Sequence, residues 1–252
     1  MKLVIFDLDQ TLVDLISVHD ATVQELFKSY FGVDASLREI DFAGRSLTEN
    51  MAELARLKGI AHSQFTKKSK LLLECYEKIF QAKIPPVASN YILPGVKPLL
   101  DELYKTRNLV VLYTGDSPGV TKCVLEATGL GKYFKFSVYG TETKNRLDMA
   151  RLAIKKAEQL TGARFKGKDV IIVGDSVRDV ECGKQLNALT IAVATGFHSK
   201  EELLSKKPDY LFDNLEDYWK VLKIIEELPN HSMARKLSSQ YRENLQNGGG
   251  NL

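Results

Sequence analysis

Cysteine is scarce in this chain of 252 residues: Cys75, Cys123 and Cys182 are the three present, and no CxxC pair occurs. A disulfide framework and a cysteine-built zinc site are therefore excluded, and reduced, mostly buried thiols are expected. Histidine is nearly as rare, with four residues. No run approaches the ~18 apolar residues that a membrane-spanning helix needs. The first apolar run, Leu3 to Phe6, stops at Asp7, too early for a secretory leader. A dominant charge is lacking too: 35 basic and 32 acidic residues leave a net +3, spread along the chain. That balance gives no footprint for nucleic acid or a membrane surface. The expectation is a cytoplasmic protein, monomer or homodimer.

What is present suits a globular chain with an ample core, 44% apolar and 27% charged. Leu3-Val-Ile-Phe6 runs straight into Asp7, with Asp9 and Thr11 at alternate positions after it. So continuous an apolar run predicts a parallel strand buried on both faces, delivering acids at its C-terminal end. Carboxylates placed there are costly to desolvate unless a cation shares the site. From 15 to about 90 the pattern turns helical, over 17–31, 47–58 and 64–82. Pro85-Pro86 and Pro94-Gly95 close this segment. Beyond it, helices at 96–106, 117–128, 146–160, 177–186, 200–205 and 214–227 alternate with strands at 109–113, 134–139, 170–173, 189–194 and 209–212. Such alternation predicts an α/β fold, a Rossmann-like doubly wound parallel sheet with helices on both faces. The core would comprise 1–14 and 91–227, with an all-helical insertion at 15–90 and a polar C-terminal tail at 228–252. In that tail Arg235, Lys236 and Arg242 read as solvated.

Four segments each follow a predicted strand: Asp7 to Thr11, Tyr113 to Asp116, Glu142 to Arg146, and Gly174 to Asp179. In a parallel sheet they meet at one edge, where ligands bind. Their chemistry suits phosphoryl transfer. Asp7 is a candidate nucleophile toward phosphorus, and Asp9 a candidate proton donor and acceptor. Thr114 offers a hydroxyl and Gly115 an unobstructed N–H to phosphate oxygens. Lys144 is the candidate cation that neutralises the phosphoryl charge and holds Asp7 ionised, with Lys132 and Lys135 as fallbacks. Asp175 and Asp179, one helical turn apart, share a face and can share a cation. Hard oxygen ligands without a neighbouring His or Cys point to Mg²⁺ rather than zinc.

This ordered set resembles the haloacid dehalogenase superfamily of phosphohydrolases over about residues 1–226, through the motifs DxDxT at Asp7 and GDxxxD at Gly174. The resemblance implies Asp7 as nucleophile and Asp9 as general acid/base. It implies Mg²⁺ held by the Asp7 carboxylate, the Asp9 carbonyl and Asp175, with Asp179 a supporting acid near the metal. It also implies that 15–90 is a helical cap domain of the C1 type. Phe42 to Thr48 is similar to a glycine-containing specificity loop, in which Arg45 either meets a second anionic group of the substrate or is solvated. His19 either faces the cleft or is a structural helix residue. Gln10 stands where glycine is common, and Asn145 follows Lys144 where proline is common. The presence of Asp9 argues against dehalogenation, and Gly174 in place of glutamate favours a hydrolase over a sugar phosphomutase. The activity implied is that of a Mg²⁺-dependent phosphatase in the phosphoglycolate phosphatase-like branch, acting on a small phosphorylated metabolite through an aspartyl-phosphate. A phosphomutase of the same fold, or a nucleotidase or pyrophosphatase, is the alternative. A nicotinamide-dependent oxidoreductase does not fit, since no GxGxxG follows the first strand.

Overall fold

The computed structural model describes residues 1–227. Arg235, Lys236, Arg242 and the rest of the expected tail lie outside the described residues. Within them, β1 (Leu3–Phe6), β2 (Leu109–Thr114), β3 (Ser137–Tyr139), β4 (Val170–Gly174), β5 (Leu189–Val193) and β6 (Tyr210–Phe212) form one sheet. The order is β3-β2-β1-β4-β5-β6 and every pairing is parallel. β1 is central, with Phe6 opposite both Leu112 and Val173. This is the doubly wound order, and winding reverses between β1 and β4. The crevice at the carboxyl ends of those two strands is where such sheets bind ligands.

Three helices fall within the expected insertion at 15–90: α1 (Ile16–Phe31), α2 (Leu47–Leu57) and α3 (His62–Lys83). The remainder are α4 (Val96–Tyr104), α5 (Pro118–Thr128), α6 (Arg146–Thr161), α7 (Val177–Gln185), α8 (Lys200–Ser205) and α9 (Tyr218–Glu227). Alternate strand residues feed two hydrophobic layers, as the two-residue period of a strand requires. Val4, Phe6, Leu112 and Val173 join a cluster that runs into α1 to α5 and α9. Leu3, Ile5, Val111 and Ile172 face Met149, Ala150 and Ala153 of α6 on the other side. No helix among the described residues is long and apolar enough to cross a membrane.

Two elements differ from expectation. The strand expected over 134–139 is confined to Ser137–Tyr139. Tyr133 instead closes a short 3₁₀ turn, its hydroxyl donating to Asp101 at 2.5 Å, and Phe134 packs edge-on to Phe6. The last helix starts at Tyr218 rather than at 214, because Asn214 forms a side-chain turn that accepts from the Glu216 amide at 2.8 Å.

Candidate active site

Asp7 continues the line of β1, its amide donating to the Val173 carbonyl at 2.9 Å. It keeps the side-chain alternation of Leu3 and Ile5, which aims it toward the α6 side of the sheet. Arg146 opens α6 and is buried there. Its Nη2 lies 2.5 Å from Asp7 Oδ1 and 2.7 Å from Asp179 Oδ1, and its guanidinium sits over the Tyr113 ring at 3.9 Å. Asp179 Oδ1 also accepts from the Arg146 Nε at 2.8 Å and from the Tyr113 hydroxyl. The other Asp179 oxygen accepts from the Ser176 amide at 3.0 Å and its hydroxyl at 2.6 Å. Asp175, at the end of β4, accepts from the Thr11 hydroxyl at 3.1 Å.

Ligand oxygens of Asp7, Asp175 and Asp179 lie within 4.8 Å of one another, and all three residues are buried. Burial lifts the Asp7 pKa to about 7 against the pull of Arg146. Burial, with Asp7 and Asp179 as like charges, lifts Asp175 well above the carboxylate range. Asp179 stays below that range, since Arg146 and the Ser176 hydrogen bond outweigh its burial. One guanidinium does not neutralise this cluster. Three buried carboxylates beside a single guanidinium are a donor set that fits a divalent cation.

A second buried cluster adjoins the first. The chain bends after Asp7, helped by Gln10 at φ 61°, a left-handed conformation that glycine adopts more readily. Gln10 Nε2 donates to Asp14 at 2.6 Å, and the Thr195 hydroxyl donates to the Gln10 carbonyl at 2.5 Å. The bend brings Asp9 Oδ1 to 3.3 Å from His19 Nε2 of α1. The same Nε2 is 3.9 Å from Asp116 Oδ2, while His19 Nδ1 meets the Tyr76 hydroxyl of α3 at 2.8 Å. Burial opposes charge on His19, but Asp116 and Asp9 together lift its pKa to about 9. Burial and the neighbouring Asp9 push Asp116 well up, whereas His19 overrides burial and draws Asp9 down.

Both clusters open into a cavity of about 80 Å³, lined on the helical side by Leu37, Phe42, Arg45, Leu47, Asn50 and Tyr76. The loop before α2 is fastened to the sheet edge. The Leu47 amide donates to the Gly115 carbonyl at 2.8 Å, and the Gly115 backbone meets the Arg45 carbonyl so closely that a Cβ would not fit.

A sequence profile of haloacid dehalogenase-like hydrolases matches residues 4–193. The chain belongs to the haloacid dehalogenase-like hydrolase family. This hydrolase is 26% identical over 218 residues to a phosphoglycolate phosphatase of Synechococcus elongatus, covering 86% of this chain and 95% of that protein. It is 26% identical over 229 residues to the pyrophosphatase PpaX of Listeria welshimeri, covering 87% and 95%. Its fold matches a crystal structure of β-phosphoglucomutase from Clostridium difficile with a TM-score of 0.73 and 19% identity, over 90% of this chain and 98% of that one.

In this haloacid dehalogenase-like hydrolase, Asp7, Asp9, Asp175 and Gly115 line one cavity, Asp179 joins Asp7 and Asp175 behind it, and Thr114 ends β2 without lining the cavity. Thr114 is buried, and its hydroxyl accepts from the Asp116 amide at 3.1 Å. Arg45 and His19 line the cavity. Lys144 is a correction: it is exposed, as are Lys132 and Lys135, and Arg146 holds the buried position beside Asp7. Asn145 caps α6 by accepting from the Asp148 amide at 2.9 Å, which leaves Lys144 outside the helix and turns Arg146 inward on its first turn. A signal for this was present. A cation in a helix's first turn opposes the helix dipole, so an arginine there needs another partner. The sequence placed Tyr113 and Asp116 in the segment at the end of β2 but assigned neither a role.

Proposed function

We propose that this haloacid dehalogenase-type phosphatase hydrolyses a small phosphorylated metabolite, of phosphoglycolate or sugar-phosphate size, through an aspartyl-phosphate on Asp7. The observation that carries the reading is the meeting of Asp7, Asp175 and Asp179 with Arg146 at the carboxyl ends of β1 and β4. A carboxylate oxygen of Asp7 attacks phosphorus, and the bond to the leaving oxygen breaks as Asp9 gives that oxygen a proton. Asp9 then takes a proton from water, whose oxygen attacks phosphorus and breaks the bond to Asp7, releasing phosphate. His19, its pKa lifted to about 9, keeps a proton next to Asp9 at neutral pH. Arg146 takes the charge-neutralising part that the sequence suggested for Lys144, and the Thr114–Gly115 turn supplies donors to the phosphate.

Asp7 and Asp175 would hold Mg²⁺ with the Asp9 carbonyl, and the bound ion would supply positive charge to the carboxylates and phosphoryl oxygens. Asp179 has all of its oxygens occupied by protein donors, which supports a positioning part for it rather than direct ligation. Gly174 lacks a side chain where a Cβ would meet the Asp179 carboxylate, and this supports a hydrolase over a phosphomutase with glutamate there. Helices α1 to α3 act as the cap, excluding bulk water when closed. The unpaired cysteines fit a reducing cytoplasm.

The test is phosphate release, with and without Mg²⁺, from phosphoglycolate, phosphosugars, nucleotides and pyrophosphate. Mg²⁺-dependent release from the small esters is expected. An isomerised phosphosugar without net phosphate release would instead identify a mutase, and no turnover of any ester would remove the reading.

A further inference from the structure

We propose that Asn50 determines specificity, its side-chain oxygen accepting a hydrogen bond from a hydroxyl of the substrate. This rests on the phosphatase reading and narrows it to hydroxylated short-chain phosphate esters.

Asn50 lies on α2, is 8% exposed and lines the cavity that holds Asp7 and Asp9. Its Nδ2 donates to the Phe42 carbonyl at 3.3 Å. That bond fixes the amide's orientation, because the flipped form would set two acceptor oxygens against each other. Oδ1 is then a buried acceptor with no hydrogen-bond partner among the described residues. A buried amide oxygen left so is costly, and a site that carries one favours a ligand that satisfies it.

Among the described residues no neighbouring side chain donates to it. Leu47, one turn earlier on the same helix face, is apolar, as are Leu37 and Phe42 in the same lining. Arg45 adds a cation to that lining. A carboxylate reaching Asn50 would bring only acceptors and meet the amide oxygen unfavourably. A hydroxyl donates to Oδ1 and can still accept from Arg45. The cavity's small volume, about 80 Å³, suits a short chain rather than a nucleoside.

The experiment compares matched esters in Mg²⁺: glycerol 3-phosphate against n-propyl phosphate, and 2-hydroxyethyl phosphate against ethyl and 2-aminoethyl phosphate. The hydroxylated member is expected to lead in kcat/KM by about 10-fold or more. Asn50→Leu is expected to bring that ratio close to one. Equal kcat/KM within the wild-type pairs overturns the proposal with no variant needed. So does a ratio that survives in Asn50→Leu, or a preference for the amine. In each of these cases, turnover that Asp7→Asn abolishes leaves the phosphatase reading standing. Absence of turnover with every ester overturns both.

Discussion

Arg178 of α7 and Asp41 of the loop before α2 form a two-point ion pair, with nitrogen–oxygen distances of 2.6 and 3.2 Å. Arg178 also donates to the Ala43 carbonyl at 2.6 Å, and Phe42 packs on Phe197 with ring centroids 5.1 Å apart. The loop that carries Arg45 is thus held from its outer side, next to Asp179 in sequence.

The Arg178–Asp41 pair is partly exposed, 26% and 49% at the side chains, so its share of folding stability is about 1 kcal/mol or less. Asp41→Ala is expected to move the thermal midpoint little while raising KM severalfold, because the loop loses an anchor. Steady-state kinetics beside a melting curve check this. An unchanged KM would sever the link between this pair and substrate binding.

Arg146 is expected to matter where Lys144 does not. Arg146→Ala leaves Asp7 and Asp179 buried without their cation, a loss of about 3–5 kcal/mol in metal-free urea unfolding. Arg146→Lys keeps the charge but not the paired geometry, and a fall in kcat of about 100-fold is expected. Lys144→Ala should stay within about twofold of the parent. A larger loss from Lys144→Ala than from Arg146→Lys would restore the lysine.

Asp7→Asn removes the nucleophile and is expected to lower kcat by about a thousandfold or more. Trapping with acid should reveal a phosphorylated protein in the parent and none in the variant. Wild-type turnover by Asp7→Asn would contradict the covalent route.

Without metal, stability is expected to fall as pH rises from about 5 to 9. Asp7 ordinarily titrates at 3.8 and is raised to about 7 when folded. His19 ordinarily titrates at 6.5 and is raised to about 9. In both windows the folded state binds more protons than the unfolded one, so raising the pH favours unfolding. The Asp7 contribution fades through about pH 7 and that of His19 through about pH 9. Mg²⁺ favours ionised Asp7 and should raise the thermal midpoint more at pH 8 than at pH 5. Melting curves across this range check both signs.

Gly196 touches the Asp175 carboxylate so closely that a Cβ there would collide with it. Gly196→Ala is expected to displace Asp175 and weaken Mg²⁺ activation by about 10-fold, with little change in the affinity of substrate. A Mg²⁺ titration of activity that gives the parent's half-saturation would overturn this.

Much of the fold was legible because buried parallel strands leave a continuous apolar run ending in a turn, as Leu3–Phe6 and Val170–Gly174 do. Phe134 misled for the same reason: an apolar residue that fills a core looks like part of a strand whether or not it pairs, and its amide closes a turn on the Gly131 carbonyl instead. The acids of the site were legible because each follows such a run, and strand direction alone carries them to one edge.

Chain order by itself determined the alternating architecture, the helical insertion and the gathering of Asp7, Asp9, Asp175 and Asp179, since strand and helix periods are local properties. Only the tertiary structure decided that Arg146 rather than Lys144 reaches Asp7, that His19 joins Asp9 to Asp116, and that Asn50 carries a buried acceptor. Those outcomes depend on how a helix's first turn is rotated against a distant strand end. Spacing along the chain does not encode that rotation, because it is set by packing between elements far apart in sequence.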